Sequence, residues 1–238
     1  MRIAVINYCG TVGKTTLAAH LLAPRMNDAP IYAIETINET AGDLGLDVEK
    51  LKGDRYSKLF KELLAEDQAI IDVGASNVED FIDRMVKYED SHHEFDIFLV
   101  PVTPGTKEQK ETMKTIEALA KAGVPSEKIT VVFNRVDSDV KEEFAAIGAF
   151  ASKSKSCFAN PKAAIFENEL FSMLSNNKTT IDKVLEDPND YKAMLKALDK
   201  TKQRKEFNHY TDMHVMKSLA RGVNRQLDKV YDELFNNK

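Results

Sequence analysis

Short apolar runs alternate along the chain with longer segments whose apolar residues recur every three or four positions. The runs have the length of buried strands and lie at residues 3–6, 30–34, 69–73, 96–102 and 129–133. The intervening segments have helical periodicity and lie at residues 14–23, 56–64, 78–88 and 107–121. Residues 41–53 lack periodicity and are expected to form a loop. This alternation predicts an α/β fold with a mostly parallel sheet and helices on both faces.

The second part of the chain is predicted to be mainly helical. A long helical segment is expected from Asp190. Before it we expect a helix at 140–150, a last strand at 156–159 and two further helices at 167–174 and 181–185. An apolar stripe at helical spacing then follows, formed by Leu219, Val223, Leu227, Val230, Tyr231 and Leu234. We expect this stripe to pack against the core or against a second subunit. The alternative is that the segment forms a helix that lies on a membrane surface. We expect one domain, with an α/β core at 1–174 and a helical extension at 175–238.

The stretch IAVINYCGTVGKTTLAAHLL, residues 3–22, has the order strand, glycine-containing turn, helix. Pro24 is expected to end the helix. This is the setting of a P-loop, in which backbone N–H groups and a helix N-terminus bind phosphate. The residues expected to form the phosphate site are Gly10, Thr11, Val12, Gly13, Lys14, Thr15 and Thr16. In this interpretation Lys14 binds the β- and γ-phosphates, and the Thr15 hydroxyl ligates Mg²⁺.

A second motif, AIIDVGAS at residues 69–76, is an apolar strand that ends in an aspartate and small residues. Asp72 has the position of a carboxylate that holds Mg²⁺ through a water molecule beside a P-loop. Gly74 has no side chain to keep its backbone N–H from the γ-phosphate. Together with Lys14 and Thr15, Asp72 predicts a nucleotide-dependent site.

A third motif, Asn134-Arg135-Val136-Asp137, follows the strand at 129–133. Its position predicts contact with a nucleotide base, because Asn134 carries amide donors and a carbonyl acceptor that match adenine. The spacing also resembles the Asn-Lys-x-Asp signature of GTPases, in which the aspartate binds guanine. A turn asparagine that caps the strand is the structural alternative. Pro161 could lie over the base.

The segment from Cys9 to Thr16 resembles the deviant phosphate loop of ParA/MinD-type ATPases, Lys-Gly-Gly-x-Gly-Lys-Thr-Thr. Two positions depart from that pattern, because Cys9 replaces the family's signature lysine and Thr11 replaces a glycine. The resemblance implies a P-loop NTPase fold, ATP rather than GTP, Mg²⁺, and a homodimer in the nucleotide-loaded state. It also implies an Asp-x-Asp segment after the second strand, where this chain has Glu35 and Ile37.

The water-orienting aspartate of that family is therefore missing from its usual place. Glu35 or Glu39 could substitute, and an acidic surface loop is the alternative. On this resemblance the candidate catalytic residues are Lys14, Glu35 and Asp72.

Within that family the sequence looks most like the StbB proteins of conjugative plasmids. The similar residues are Val5-Ile6-Asn7, the loop through Gly13-Lys14-Thr15-Thr16, the segment from His20 to Met26, and the segment from Ile34 to Asn38. This resemblance implies a role in plasmid stability or positioning and in conjugation. It also implies a small DNA-binding partner protein.

Composition and charge limit the cellular locations and the binding partners that we expect for this protein. The chain has 238 residues and 2 cysteines, and no apolar run approaches a membrane span, so we expect a cytoplasmic protein without a signal peptide. The net charge is −5, but residues 151–238 carry 16 Lys+Arg against 12 Asp+Glu, a local excess of 4 positive charges. A basic cluster in this region comprises Lys196, Lys200, Lys202, Arg204 and Lys205. Nonspecific DNA contact and a solvated helix face are both consistent with it.

Three functional hypotheses follow from these motifs. The first is a partition-type ATPase that hydrolyses ATP slowly and changes its partner state with the nucleotide. The second is a nucleotide-dependent binding module without meaningful hydrolysis, which the residues at Cys9 and Ile37 favour. The third is a metabolic enzyme on the same fold, such as a dethiobiotin-synthetase-like ligase or a small kinase.

Overall fold

One parallel sheet of seven strands lies at the centre of the computed structural model, which describes residues 1–26, 29–35, 41–51, 56–200 and 202–236. The strand order is β3-β2-β4-β1-β5-β6-β7, and every neighbouring pair is parallel. The strands are β1 (Arg2–Ile6), β2 (Ile31–Ile34), β3 (Glu49–Leu51), β4 (Ala69–Val73), β5 (Ile97–Val102), β6 (Ile129–Val136) and β7 (Phe158–Phe166).

Helices connect the strands and cover both faces of the sheet. The first helical segment, α1, begins at Lys14–Thr16, continues as a π-helix over Leu17–Leu22 and closes with a 3₁₀ turn at Ala23–Arg25. The other helices are α2 (Tyr56–Ala65), α3 (Val78–Lys87), α4 (Thr106–Lys121), α5 (Val140–Glu143), α6 (Ala145–Ser154), α7 (Glu169–Asn176), α8 (Ile181–Glu186), α9 (Tyr191–Ala197) and α10 (Arg204–Phe235). In the part of the chain described above, none of these helices is long and apolar enough to cross a membrane.

Side chains of β1 alternate between two hydrophobic clusters, one on each face of the sheet. Ala4 and Ile6 join the cluster formed with α2, α3, α4 and α6. Ile3 and Val5 join the cluster formed with α1, α7, α8 and α10. Alternation of this kind is the normal pattern of a strand. Burial on both faces explains why the strands of this chain are continuous apolar runs.

The apolar stripe of α10 is part of the second cluster. Val223, Leu227, Val230 and Leu234 are buried there, against α1, α7 and β7, and Leu219 and Tyr231 are partly buried. Burying a side chain of this size stabilises the fold by roughly 1.5–3 kcal/mol. The stripe is therefore used for packing, and the membrane-surface alternative is not supported.

Arg25 connects the end of α1 to α10. Pro24 has no N–H group to donate to the carbonyl of His20, and the Arg25 guanidinium donates to that carbonyl instead, at 3.0 Å. The same guanidinium donates to Asn224 at 2.8 Å and to Asp228 at 2.7 Å. The proline expected to end the helix therefore lies inside its last turn, and an arginine completes the hydrogen bonding.

Several expected boundaries differ from the structure. The expected loop at 41–53 contains a 3₁₀ turn at Ala41–Leu44 and the edge strand β3, which is too short to show periodicity. The last strand, β7, is longer than expected and continues through Asn160 and Pro161, where its pairing with β6 is irregular. The expected helix at 140–150 is interrupted at Phe144.

Candidate functional site

The turn after β1 is held in shape by a left-handed glycine. Gly13 has φ 88° and ψ 31°, a conformation that residues with a side chain rarely adopt. A methyl group at Gly13 would overlap the side-chain amide nitrogen of Asn134, which donates a hydrogen bond to the carbonyl of Val12 at 2.9 Å. The end of β6 is thus in direct contact with the loop, and only glycine fits between them.

The Lys14 ammonium lies inside this loop. It donates to the carbonyl of Cys9 at 2.7 Å and to the carbonyl of Asn7 at 3.1 Å, and the residue is 5% exposed. Burial lowers the pKa of Lys14, while the nearby charge of Asp72 opposes that change. A cation held at this point, at the start of a helix, gives the loop the character of an anion-binding site.

Thr15 and Asp72 meet at the ends of two neighbouring strands. The register pairs Val5 of β1 with Asp72 of β4, which brings the carboxylate beside the loop that follows β1. The Thr15 hydroxyl donates to Asp72 at 2.7 Å. Burial raises the pKa of Asp72 to about 6, although the Thr15 hydrogen bond and the Lys14 charge act in the opposite direction. A carboxylate and a hydroxyl are hard oxygen ligands, so this pair fits Mg²⁺.

Asn7 is a central residue of the loop that sequence reasoning missed. Its amide donates to the carbonyl of Pro101 at 2.8 Å and to the Thr112 hydroxyl at 2.7 Å, and its carbonyl accepts from the N–H of Cys9 at 2.8 Å. The residue is fully buried. The signal that could have indicated this role was a polar residue directly after a buried strand, because a buried polar group must find hydrogen-bond partners.

The Cys9 side chain belongs to the interior of the loop. It is 7% exposed, and its sulfur lies 3.5 Å from the Thr11 hydroxyl. The two positions that depart from the ParA/MinD pattern therefore contact each other. A thiol held in this way has no positive charge to offer a phosphate.

Glu35 directly follows β2 and lies beside Gly74. A methyl group at Gly74 would overlap the Glu35 carboxylate, and the Gly74 N–H donates to the carbonyl of Ile34 at 2.8 Å. In this structure the small residue makes room for Glu35, and its N–H is bound within the sheet. Ile37 and Glu39 lie outside the described residues.

A cavity of about 510 Å³ opens over the loop. It is lined by the residues expected at the phosphate site, except Val12, which is buried below the loop. Glu35, Asp72, Gly74 and Arg135 also line it. A smaller cavity of about 300 Å³ adjoins it and is lined in part by Asn134, Arg135 and Phe166. The structure thus brings together nearly all of the expected site residues.

Pro161 is the expected site residue that lies away from the loop. It is an exposed residue of β7, between Asn160 and Lys162, which both contact Glu233 of α10. It does not line either cavity. Because β7 continues past Pro161, the chain reaches the carboxyl edge of the sheet only at Phe166, so the expectation that Pro161 covers a base is wrong.

His20 and Phe171 line the larger cavity and were not expected there. Their ring centroids lie 6.0 Å apart. Burial lowers the pKa of His20 to about 4, and within the described part of the chain its Nδ1 atom has no hydrogen-bond partner. In the sequence His20 is a single polar position in the apolar stretch at residues 17–23, which gave no signal of a cavity.

Comparison with solved structures identifies the fold. The cell division ATPase MinD of Pyrococcus furiosus aligns over 91% of this chain and 97% of its own, with a TM-score of 0.56 and 18% identity. MinD of Aquifex aeolicus aligns over 79% and 90%, with a TM-score of 0.56 and 17% identity. MinD of Pyrococcus horikoshii, solved with Mg-ADP, aligns over 89% and 93%, with a TM-score of 0.54 and 16% identity.

Neither the family models nor the curated proteins compared with this chain include a match. The structural similarity nevertheless covers most of the molecule. The chain therefore has the P-loop NTPase fold of the ParA/MinD type, with a seven-stranded parallel sheet, helices on both faces and a carboxyl-terminal helix.

Proposed function

We propose that this protein is an ATP-binding switch of the ParA/MinD type that hydrolyses ATP slowly. The observation that carries the proposal is the hydrogen bond between Thr15 and Asp72 at 2.7 Å, next to the ammonium of Lys14. A hydroxyl, a carboxylate and a lysine at the first turn of a helix are the groups that bind a magnesium nucleotide in P-loop proteins. Here they come from separate parts of the sequence and meet at one edge of the sheet.

Each residue has a chemical role in this proposal. Lys14 binds the β- and γ-phosphates, and the backbone from Gly10 to Thr16 surrounds them. Thr15 and Asp72 hold Mg²⁺, which neutralises phosphate charge when it is bound. Glu35, which lines the cavity beside Gly74, is in this proposal the carboxylate that accepts a proton from an attacking water molecule.

A second candidate is a nucleotide-dependent binding module without meaningful hydrolysis. The observation that favours it is the burial of Cys9 against Thr11, because this position supplies no cation for the charge that develops in phosphoryl transfer. Both candidates bind ATP, and they differ only in turnover.

The biological role we propose is plasmid stability, positioning or conjugation, in the cytoplasm. The support is the similarity of the loop and of the segment from His20 to Met26 to StbB proteins. In this role the nucleotide-loaded protein forms a homodimer and acts with a small DNA-binding protein. Similarity in fold to MinD supports the switch type, and the plasmid role depends on the sequence motifs alone.

Calorimetric titration with Mg-ATP tests the nucleotide site. We expect saturable binding by the wild-type protein and none by Lys14→Ala. Lys107→Ala, which removes an exposed lysine at the start of α4, is the matched control and should bind like the wild type. Equal affinity of Lys14→Ala and the wild type, or no binding by either, would overturn the proposal.

A further inference from the structure

We propose that Arg135 is a phosphate-binding residue of this site, with its guanidinium supplied by the same chain that holds the P-loop. This inference rests on the proposed function, because it assumes a nucleotide in the larger cavity. It adds a second cation to that site, beside Lys14, and it assigns Arg135 to the phosphates rather than to the base.

The backbone at Arg135 has an unusual conformation for its place in a strand. Its φ is 54°, in the left-handed region, although it lies within β6. The pairing of β6 with β7 shifts register between Asn134 and Val136, which is a β-bulge. Bulges beside functional sites redirect side chains, and a backbone held in this region is maintained only by its surroundings.

The consequence of the bulge is visible in the two cavities. Neighbouring residues of a regular strand point to opposite faces of the sheet. Asn134 and Arg135 instead both line the smaller cavity, and Arg135 also lines the larger one. Asn134 is buried against Val12, whereas the Arg135 side chain is 54% exposed. The bulge thus leaves a long cationic side chain at the boundary between the two cavities.

The balance of charged side chains around the larger cavity indicates that the Arg135 cation is needed there to bind a nucleoside triphosphate. Its lining includes three positive side chains, Lys14, Arg135 and Lys178, and three carboxylates, Glu35, Asp43 and Asp72. These formal charges cancel, so a nucleoside triphosphate would enter a site with no excess of positive charge. Arginine binds phosphate through paired N–H donors, and the loss of Arg135 would leave the lining net negative.

The ion pair that Arg135 now makes can be broken at little cost in free energy. Its Nε lies 3.9 Å from the Glu167 carboxylate, and that side chain is 57% exposed. An exposed ion pair at this separation contributes little to stability. The guanidinium is therefore able to leave Glu167 and bind a phosphate oxygen when a nucleotide is present.

Binding of ATP, ADP and AMP to a set of variants tests this assignment. We expect Arg135→Gln to weaken ATP binding by roughly 10- to 100-fold, as for the loss of a charged hydrogen bond. The loss should be smaller for ADP and smallest for AMP, because each nucleotide offers fewer phosphates. Arg135→Lys should restore part of the ATP affinity, and Glu167→Gln should leave it unchanged or slightly tighter.

The variant Arg135→Gly distinguishes the role of the side chain in binding from the strain of the backbone conformation. Glycine adopts a positive φ without strain, so this variant should melt at an equal or higher temperature and still bind ATP as weakly as Arg135→Gln. Lys178→Gln is the matched charge control, because Lys178 lines the same cavity and also has a positive φ, 49°. We expect a smaller loss from it than from Arg135→Gln.

Three results would overturn the inference while leaving the proposed function intact. They are wild-type ATP affinity in Arg135→Gly, equal losses for AMP and ATP, and an equal loss in Lys178→Gln. The second would place Arg135 on the base or ribose. Failure of the proposed function is distinct, because then the wild-type protein itself would not bind Mg-ATP or would bind it independently of Lys14.

Discussion

The side-chain amide of Asn134 donates a hydrogen bond to the backbone carbonyl of Val12 at 2.9 Å, across 122 positions of the sequence. The bond fixes the end of β6 against the phosphate loop. It also uses one of the amide protons that sequence reasoning assigned to adenine, and leaves the side-chain carbonyl of Asn134 for a base. The loop and the region proposed to bind the base are therefore coupled through a single side chain.

Gly13→Ala should disturb both regions at once. The new methyl group would overlap the Asn134 amide and would require a positive φ, so we expect a loss of roughly 1–3 kcal/mol in the free energy of unfolding. Gly148→Ala is the control, because Gly148 is exposed in α6 with open space around it. That variant should be more stable by about 0.5–1 kcal/mol. Denaturant unfolding measures both, and equal effects would contradict the explanation.

Adenine preference is a second prediction. The Asn134 carbonyl can accept a hydrogen bond from the amino group of adenine, whereas guanine presents a carbonyl at the equivalent edge. Competition against a fluorescent nucleotide should therefore rank Mg-ATP above Mg-GTP. A higher affinity for GTP would mean that Asp137 binds guanine and that the assignment of Asn134 is wrong.

The contribution of His20 to stability should fall as the pH is lowered from about 6.5 towards 4, whereas Asp72, whose pKa burial raises to about 6, contributes in the opposite direction over much of the same interval. Burial lowers the pKa of His20 to about 4 in the folded protein, whereas an unfolded chain has a His pKa of about 6.5. In that interval only the unfolded state binds the proton at this residue, so acid favours unfolding, by up to about 3 kcal/mol.

Thermal unfolding between pH 4 and pH 8 measures this effect. His20→Gln should lose the part of the pH dependence that belongs to His20, and a variant at the exposed His214 should keep it. An identical pH profile in the wild type and in His20→Gln would show that His20 is not the responsible group.

The basic cluster predicts nonspecific DNA binding. The side chains of Lys200, Lys202, Arg204 and Lys205 are exposed, although Lys202 lies 3.7 Å from Asp199 and Lys200 lies over the Phe207 ring. Neutralising these four should weaken retention of DNA at low salt and reduce the slope of log affinity against log salt by roughly 2–4. The control neutralises four exposed lysines of α4, namely Lys107, Lys110, Lys114 and Lys121. No retention by the wild type would end this hypothesis.

Slow turnover is the last prediction. Cys9 is buried and supplies no positive charge, so the site lacks one donor for the charge that builds in the transition state, and such losses cost roughly 100- to 1,000-fold in rate. We expect basal hydrolysis well below about one ATP per minute, as for unassisted P-loop NTPases. Phosphate release assays on the purified protein measure it. Fast turnover that survives in both Cys9→Ala and Glu35→Gln would show that catalysis uses other residues.

The sequence predicted the fold best at positions where the residue type alone determines the structural role. Apolar runs located six of the seven strands found among the described residues, and the glycine and lysine of the loop predicted its position. The edge strand β3 was missed because three residues show no periodicity. Pro161 was misplaced because the length of β7 depends on pairing with β6.

The lining of the cavity was harder to predict than the loop itself. His20 and Phe171 come to the site through the packing of α7 on α1, which no local pattern encodes. Asn7 was overlooked because its importance depends on two partners in another part of the chain, Pro101 and Thr112. Contacts of this kind are decided by tertiary structure, and a single sequence does not display them.

The position of α10 also has a consequence for how the protein is made. Leu17 and Leu21, from the segment that carries the phosphate loop, share a buried cluster with Val223, Leu227 and Leu234. A ribosome translates the first group some two hundred codons before the last, and chains of this size fold as domains become available. The part of this helix face that α10 covers thus stays open to solvent and chaperones until α10 has emerged. Truncation within α10 would leave that part permanently uncovered.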